Sequence, residues 1–176
     1  MIPTIAWTLP RPAESKYRGA FPRFFEQNLV SLLGYPDRIL QPFGGRGTVG
    51  IRVDIDPTVE PDVVGDAHAL PFADGSFDLV LLDPPYSDEE AATIYGTPKL
   101  RKRTYTAEAV RVCREGGWVV VYGDREPERP PRCNHTLRIV VSLRPHHRPR
   151  VCGVFQKRKN GMPHYGSEPG EDGYAE

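Results

Sequence analysis

Four apolar runs bounded by turn-forming residues constrain the fold of this chain more than any other feature. Runs of this length that are rich in Val, Leu, Ile and aromatic residues are typical of β-strands. They are FDLVLLD (77–83), GWVVVYGD (117–124), LRIVVSL (137–143) and RVCGVFQK (150–157), with shorter candidates at RILQPF (38–43), IRVDID (51–56) and DVVGDA (62–67). The core of the protein is therefore predicted to be a β-sheet.

Two segments between these runs have the apolar spacing of helices. FPRFFEQNLVSLLG (21–34) has Gly34 just past its predicted end. The residues predicted to share its buried face are Phe24, Phe25, Leu29, Leu32 and Leu33. In YTAEAVRVCREGG (105–117), Thr106 is the predicted N-cap and Gly116 the predicted stop.

The alternation of strand, helix and strand predicts the fold class, which is an α/β domain with a Rossmann-like, mostly parallel sheet. The last two runs lie close enough in sequence to form an antiparallel hairpin with RPHHRP (144–149) as its tip. A Pro- and charge-rich segment at 124–134 stands where another crossover helix would be expected. The fold is therefore predicted to be spare in helices.

One domain is expected to span residues 1–160, because a chain of 176 residues can build one hydrophobic core without staples. The Gly-, Pro- and acid-rich tail, 161–176, is predicted to be flexible. The three cysteines match neither a disulfide framework nor a zinc pattern, and the five histidines show no ligand spacing. With no signal peptide or membrane-length apolar run visible, the sequence predicts a cytoplasmic protein without a metal site or a membrane partner.

Charge is distributed unevenly, although the net charge is zero. Residues 1–98 hold 7 Lys/Arg against 14 Asp/Glu, whereas residues 99–160 hold 16 against 5. A basic half suggests a polyanionic partner such as nucleic acid. The residues predicted to contact it are Lys99, Arg101, Lys102, Arg103, Arg148 and Arg150. The alternative is a set of solvated loops and strand edges that resist aggregation.

Distinctive residues follow four of the predicted strands, at the edge where open α/β sheets bind ligands. The first strand end carries QPFGGRGT (41–48), where closely spaced glycines let a ligand approach the backbone. The second carries Asp54, and an acid there suits the paired hydroxyls of a ribose. Asp66 and Ala67 follow the third strand, and DPPY (83–86) the fourth. The simpler alternative is that the glycines and the DPPY segment are plain turns.

With these motifs in this order, the chain resembles the S-adenosylmethionine-dependent amino-methyltransferases, chiefly the DNA enzymes that methylate the exocyclic amine of adenine or cytosine. PFGGRGT (42–48) looks like their glycine loop and DPPY (83–86) like their catalytic motif. KYRGAFP (16–22) is similar to the segment that helps hold the methionine end of the cofactor. The resemblance implies a class I methyltransferase fold and S-adenosylmethionine as the cofactor.

The resemblance also implies roles for single residues. The catalytic set would be Asp83, Pro84, Pro85 and Tyr86. The cofactor would be held by Lys16, Pro42, Phe43, Gly44, Gly45, Gly47, Asp54, Ile55, Asp66, Ala67 and Asp83.

The chemistry of an aromatic amine explains why these residue types suit the motif. The lone pair of the amine is delocalised into the ring, so the nitrogen is a poor nucleophile. Hydrogen bonds accepted by the Asp83 carboxylate and the Pro84 carbonyl would shift the nitrogen towards a tetrahedral, more nucleophilic state. Pro85 fixes the turn, and Tyr86 would stack on the base, a contact worth about 1–3 kcal/mol. In duplex DNA the base must first leave the stack.

The glycine loop departs from the family pattern at two points. Gln41 stands where the family usually has an acid that contacts the amino group of the cofactor. Only Thr48, Val49 and Gly50 separate Gly47 from the next predicted strand, where the family has a helix. An extended loop of this length reaches roughly 30 Å, so a bare loop is predicted to cross back along a strand of about 17 Å. Lower cofactor affinity is the expected consequence.

Three functions remain open on the sequence. Methyl transfer to a nucleic-acid base, above all adenine N6 in DNA, is favoured by the ordered motifs and the basic downstream half. An RNA base or a protein side-chain amide is the second acceptor class, because no target-recognition domain is visible; a specificity subunit or a homo-oligomer is a candidate partner. A non-catalytic, cofactor-binding accessory subunit is favoured by Gln41 and the missing helix. Residues 87–104 are a candidate lid, with a surface loop as the alternative.

Overall fold

The computed structural model describes residues 1–11, 21–87, 89, 91–92, 100–143 and 148–160. Its strands are β1 (Thr4–Thr8), β2 (Ile39–Pro42), β3 (Ile51–Asp54), β4 (Val63–Val64), β5 (Phe77–Leu82), β6 (Cys113–Gly123), β7 (Cys133–Ser142) and β8 (Arg150–Lys157). They form one sheet in the order β1-β7-β8-β6-β5-β2-β3-β4. All seven runs predicted from the sequence contribute a strand to this sheet.

The sheet is mostly parallel, as predicted. The strands from β2 to β6 run in one direction. β8 is antiparallel to both of its neighbours, β6 and β7, so β7 and its parallel partner β1 share the direction of the central strands. The pairing of β7 with β8 confirms the predicted C-terminal hairpin, whereas residues 144–147 of its tip lie outside the described residues.

The winding of the chain changes direction beside β2. The strand that follows β2 in sequence, β3, lies on one side of it, and β5 lies on the other. Such a change of direction is a topological switch point, and open α/β sheets bind ligands in the crevice at the carboxyl ends of the strands there. The fold therefore marks the ends of β2 and β5 as the place to look for a site.

Two helices described over their full length pack on opposite faces of the sheet. α1 (Phe25–Leu32) buries Phe25 and Leu29 against one face. α2 (Lys102–Val112) buries Ala109 and Val112 against the other face. No helix among the described residues is long and apolar enough to cross a membrane.

The beginnings of both helices differ from the sequence prediction. α1 starts at Phe25 because Phe24 adopts a left-handed φ of 67°. Phe24 and Leu32 are therefore 52% and 44% exposed, not part of the buried face. α2 starts earlier than predicted, so Thr106 is not its N-cap; the Thr106 hydroxyl instead donates to the carbonyl of Lys102 within the helix at 2.7 Å. Gly116 is not the stop either, because β6 follows α2 directly.

The Pro-rich segment between β6 and β7 covers part of the sheet without regular structure. Residues 124–132 contain neither helix nor strand, and Pro127 and Pro130 are buried. Glu126 is paired with Arg138 of β7 at 2.6 Å. The prediction that this crossover lacks a helix is confirmed, which leaves an α/β domain spare in helices.

β1 is absent from the sequence-based prediction. It adds a parallel edge strand to β7, in register from Thr4 opposite Arg138 to Thr8 opposite Ser142. Only Ile5 and Trp7 pack against the core, while the alternate residues are exposed. Five residues with two apolar contacts give too short a pattern to stand out in the sequence.

Candidate functional site

The carboxyl ends of four adjacent strands bring the predicted site residues to one edge of the sheet. β5, β2, β3 and β4 are neighbours in that order. They lead respectively into Asp83, the glycine loop at 42–47, Asp54 and Asp66. The switch point thus separates the predicted catalytic motif from the predicted cofactor loop by one strand spacing. Lys16, predicted to help hold the cofactor, lies outside the described residues.

The glycine loop folds back onto β3 and does not lead into a helix. The Gly44 amide donates to the Val53 carbonyl at 2.9 Å, and the Gly45 amide donates to the Asp54 carboxylate at 2.9 Å. A Cβ on Gly44 would lie 2.7 Å from the Cβ of Arg52, so this close approach needs glycine. The bare crossover predicted from the loop length is confirmed.

Asp54 is fixed by the backbone but keeps acceptor capacity. Its Oδ2 accepts the Gly45 amide, and its Oδ1 accepts the Asp56 amide at 3.0 Å. A carboxylate has about four acceptor positions, so further donors such as ribose hydroxyls can still bind. Ile55 beside it is 43% exposed. Asp54 and Ile55 thus place a carboxylate beside an open apolar side chain at this edge.

His68, which the sequence pattern did not single out, holds Asp66. His68 Nδ1 lies 2.6 Å from Asp66 Oδ1, and His68 Nε2 accepts the backbone N–H of Arg101 at 3.0 Å. Since Nε2 accepts, the proton of the neutral ring is on Nδ1, which donates to Asp66. Burial alone would raise the pKa of Asp66, but the hydrogen bonds from the His68 amide and ring hold it below its usual value. Asp66 is therefore ionised at neutral pH, next to the buried Ala67.

Aromatic rings connect the glycine loop to α2. Phe43 and Tyr105 pack edge to face with ring centroids 5.2 Å apart, and Tyr105 contacts the His68 ring at 5.8 Å. Burial raises the pKa of Tyr105 to about 12, so its phenol stays neutral. Phe43 and the buried Pro42 therefore form part of the packed base of the loop.

The DPPY segment begins at the first residue after β5. Pro84 is buried, and Asp83, Pro85 and Tyr86 are half-buried. The Tyr86 hydroxyl donates to Asp83 Oδ1 over a long 3.4 Å. Neither proline has an N–H that needs a partner. A carboxylate, a proline carbonyl and a phenol thus occupy one corner of the ligand-binding edge.

Arg150, predicted to contact nucleic acid, lies over Tyr86. Its guanidinium carbon is 4.7 Å from the ring centroid, which is a cation–π contact. The antiparallel direction of β8 explains this position, because the first residue of β8 comes to the edge where the parallel strands end. Burial and the nearby charge of Asp83 raise the pKa of Tyr122 on β6, and Arg150 opposes the shift. Both charges therefore lie close to the Tyr122 phenol.

Three more of the predicted nucleic-acid contacts begin α2. Arg101, Lys102 and Arg103 are exposed, and Lys102 pairs with Glu128 at 3.1 Å. The first turn of α2 contains no acid, and cations at a helix N-terminus are unfavourable. Helix stability therefore does not explain this basic cluster. Arg148 is exposed as well, and Lys99 lies outside the described residues.

Glu26 is the buried residue at this edge that sequence reasoning missed. It stands in the first turn of α1, is 6% exposed, and hydrogen-bonds to Thr48 and Gln41 of the glycine loop. The available signal was an acid inside the apolar helical stretch FFEQNL. In the described part of the chain, no three potential metal ligands cluster together.

Comparison of the sequence with known protein families and with curated proteins finds no match. Solved structures do match the fold. The 1,6-didemethyltoxoflavin-N1-methyltransferase of Burkholderia thailandensis, solved with 1,6-didemethyltoxoflavin and S-adenosylhomocysteine, is similar with a TM-score of 0.55 and 15% identity over 78% of each chain. The N-methyltransferase NodS of Bradyrhizobium japonicum is similar with a TM-score of 0.53 and 13% identity, over 78% of this chain and 98% of that one. The chain has the class I methyltransferase fold.

A third match has the same character. An S-adenosylmethionine-dependent methyltransferase of Aquifex aeolicus gives a TM-score of 0.52 at 9% identity, over 76% of this chain and 89% of that one. Two further solved chains, from Methanococcus maripaludis and Thermotoga maritima, are covered over only 52% and 48% of their own length. At these identities the shared property is the fold, and activity must be argued from the residues of the site.

Proposed function

We propose that this protein transfers a methyl group from S-adenosylmethionine to the exocyclic amine of a nucleic-acid base, with adenine N6 in DNA as the main acceptor. One observation carries the proposal: Asp83 and Tyr86 share a corner at the switch point, one strand away from the glycine loop and two strands away from Asp54. This arrangement supplies acceptors and a flat ring for an aromatic amine next to acids suited to a nucleoside cofactor.

The residues at the glycine loop fit S-adenosylmethionine. The unfilled acceptor positions of Asp54 suit the ribose hydroxyls, and the exposed Ile55 offers an apolar surface to the adenine. Asp66, kept ionised by His68, suits the adenine amine, and the Ala67 backbone completes this end of the site. Gly44, Gly45 and Gly47 would present the backbone of the loop to the methionine part. Bound there, the cofactor would supply an electrophilic methyl group.

The catalytic corner would act on the acceptor amine. The Asp83 carboxylate and the Pro84 carbonyl accept hydrogen bonds from the two N–H groups, which moves the nitrogen lone pair out of the ring. S-adenosylmethionine would supply the methyl group and would leave as S-adenosylhomocysteine. Asp83 would be placed to take the proton that the amine gives up. Tyr86 would stack on the acceptor ring, and the remaining rate would come from holding the reactants in line.

The basic cluster at the start of α2 supports a polyanionic substrate. Arg101 is tied to the candidate cofactor edge through His68, so the cluster borders the proposed site. Lys and Arg at such a place bind phosphates regardless of base sequence. They would hold the nucleic acid while the acceptor base leaves the stack.

A small heteroaromatic amine is the second candidate acceptor. The described residues form one sheet with its covering helices and contain no separate target-recognition domain. Two of the similar structures are named as N-methyltransferases, one of them solved with a small heteroaromatic ligand. The catalytic corner would act on such an amine by the same chemistry.

The proposal is tested in two steps. Calorimetry with S-adenosylmethionine measures binding, and labelled cofactor then reports methyl transfer to unmethylated DNA, to RNA, to free nucleosides and to protein. We expect the wild type to bind S-adenosylmethionine and to label DNA. We expect Asp83→Asn to bind S-adenosylmethionine without labelling DNA. Labelling of free nucleosides alone would favour the small-molecule acceptor. Tight binding without transfer to any acceptor would indicate an accessory subunit, and an absence of binding would refute the proposal.

A further inference from the structure

The glycine loop is held from outside by a buried carboxylate. Within the loop, the Gly47 amide donates to the Gly44 carbonyl at 2.8 Å. Beyond that turn, Thr48 donates twice to Glu26 of α1: its amide reaches Oε1 at 2.9 Å and its hydroxyl reaches Oε2 at 2.7 Å. The segment that replaces a crossover helix therefore depends on α1 for its position.

Gln41 adds a third donor to the same carboxylate. Its Nε2 lies 2.7 Å from Glu26 Oε1 and 2.6 Å from the Val49 carbonyl. Because both neighbours can only accept, the amide nitrogen must be the atom that faces them. The orientation of the Gln41 amide is thus set by chemistry, with its oxygen turned towards Gly47.

The oxygen side of the Gln41 amide explains why position 47 is a glycine. A Cβ on Gly47 would lie 2.5 Å from Gln41 Oε1, so the amide and a side chain at 47 exclude each other. Gln41 is 1% exposed, and its oxygen is buried without a hydrogen-bond partner in the part of the chain that the structure describes. An unpaired buried acceptor is costly, so the Gln41 position is maintained by the two bonds on its nitrogen.

Position 41 accordingly requires an amide as long as position 26 holds an acid. A glutamate at 41 would set carboxylate oxygens against Glu26 and against the Val49 carbonyl. A glutamine at 26 would keep one acceptor for the two N–H donors and turn its own N–H towards the Thr48 hydroxyl, but it would lose the charge that strengthens these hydrogen bonds. An acid is thus buried behind the glycine loop, but it comes from α1 and not from position 41, where the resemblance leads one to expect an acid.

We infer that Glu26 is a positioning residue for the cofactor loop, which it holds in place of the missing helix. This inference rests on the proposed cofactor role of residues 42–47. Glu26 acts through Thr48 and Gln41 and is not itself assigned to contact the cofactor. Its loss should change the loop at the candidate site, whereas loss of an equally well bonded acid elsewhere should not.

Asp78 provides the matched control, because it is an acid of comparable bonding at the opposite edge of the sheet. Its carboxylate accepts from Arg38 and Arg114 at the amino end of β5. Glu26→Gln and Asp78→Asn are therefore the same kind of change with different neighbours. Both should lower the melting temperature.

Two measurements separate positioning from general destabilisation. In Glu26→Gln, we expect the Thr48 amide to exchange its hydrogen at least tenfold faster and the dissociation constant for S-adenosylmethionine to rise at least tenfold. In Asp78→Asn, both quantities should stay within twofold of the wild type. If Glu26→Gln leaves both within twofold, the inference is wrong. If the wild type binds no S-adenosylmethionine, the proposed function fails, while Thr48 exchange still decides whether Glu26 positions the loop.

Gln41→Glu is a second variant in case Glu26→Gln does not fold. Two adjacent carboxylates retain a shared proton to higher pH than an isolated one. The protection factor of the Thr48 amide, which corrects for the intrinsic pH dependence of exchange, and the cofactor affinity of this variant should both recover as the pH falls from 8 to about 5, because one carboxyl again becomes a donor. A loss that does not depend on pH would mean that only volume matters at this position, which would overturn the inference.

Discussion

The two edges of the sheet use their acidic residues in opposite ways. At the amino end of β5, Asp78 is enclosed by arginines: the Arg38 amide lies 2.9 Å from Oδ2 and Arg114 Nε lies 2.5 Å from Oδ1. At the carboxyl edge, Asp54 and Asp66 accept from backbone amides and a histidine. Neither forms an ion pair with Arg or Lys within the described ranges.

The difference separates acids that hold the fold from acids that can serve a ligand. Hydrogen bonds from Arg38 and Arg114 hold the pKa of Asp78 well below its usual range, and its acceptor positions are taken by cations. Asp66 is also ionised, but its hydrogen bonds come from His68, and Arg101 lowers its pKa only through its charge. Asp54 keeps open acceptor positions. Equivalent acid-to-amide changes should therefore cost stability at one edge and activity at the other.

The largest expected effect is on turnover in Asp83→Asn. The amide keeps the shape of the side chain but loses the charge that accepts hydrogen bonds and a proton from the acceptor amine. We expect kcat to fall by about 10²–10⁴-fold, with a smaller loss of cofactor affinity because the resemblance places Asp83 in the cofactor-binding set as well. Single-turnover methyl transfer to DNA measures the fall. A variant that retains more than a tenth of the wild-type rate would show that Asp83 is a turn residue and not a catalytic one.

Asp54→Asn should affect cofactor affinity at the same edge. Hydrogen bonds to a charged acceptor contribute about 1.5–3 kcal/mol, so the dissociation constant for S-adenosylmethionine should rise roughly tenfold to a hundredfold. Calorimetry measures this change. Asp78→Asn is the control, because Asp78 accepts from the Arg38 amide at 2.9 Å at the opposite edge of the sheet. Equal losses in both variants would indicate a general disturbance of the sheet.

The sheet was predictable because its signal lies in continuous apolar runs. RVCGVFQK gave the bounds of β8 without error, and the three residues between Gly47 and the next predicted strand left no room for a crossover helix. The placement of DPPY beside the glycine loop also follows from sequence, since both segments end strands that face the switch point. A local sequence pattern was therefore sufficient to predict a strand or loop whose position depends on that segment alone.

The contacts that cross between elements were not predictable. Glu26 meets Gln41 across 15 positions of sequence, and His68 meets Arg101 across 33. A single acid or histidine carries no periodic signal, so its partner becomes visible only when the chain is folded. The start of α1 was missed for a local reason, because the left-handed turn at Phe24 has no glycine or asparagine to mark it.

The pH dependence of stability tests the structural role of Asp78. Because the folded pKa of Asp78 is lowered, its contribution is fully present above its unfolded pKa of about 4 and is lost as the pH falls below that value. At pH 7, Asp78→Asn should lower the free energy of unfolding by about 1–2 kcal/mol, a discounted figure because both guanidinium groups are half exposed. Urea titrations from pH 7 to pH 3 should show the wild type and the variant converging. A constant difference would mean that shape and not charge is responsible.

The smallest predicted effect concerns Arg150, where the candidate site meets the basic surface. Its contact with the Tyr86 ring contributes about 0.5–1 kcal/mol at a partly exposed position, so Arg150→Gln should lower kcat/KM for DNA only a few-fold. If Arg150 also contacts a phosphate, the slope of log affinity against log salt should become shallower by about one. Arg150→Lys should restore that slope, since it keeps the charge. Arg132→Gln is the control, because Arg132 lies at the start of β7 on the amino edge of the sheet. This variant should leave the salt slope unchanged. If it lowered the slope as much as Arg150→Gln does, the distinction between the two edges would be lost.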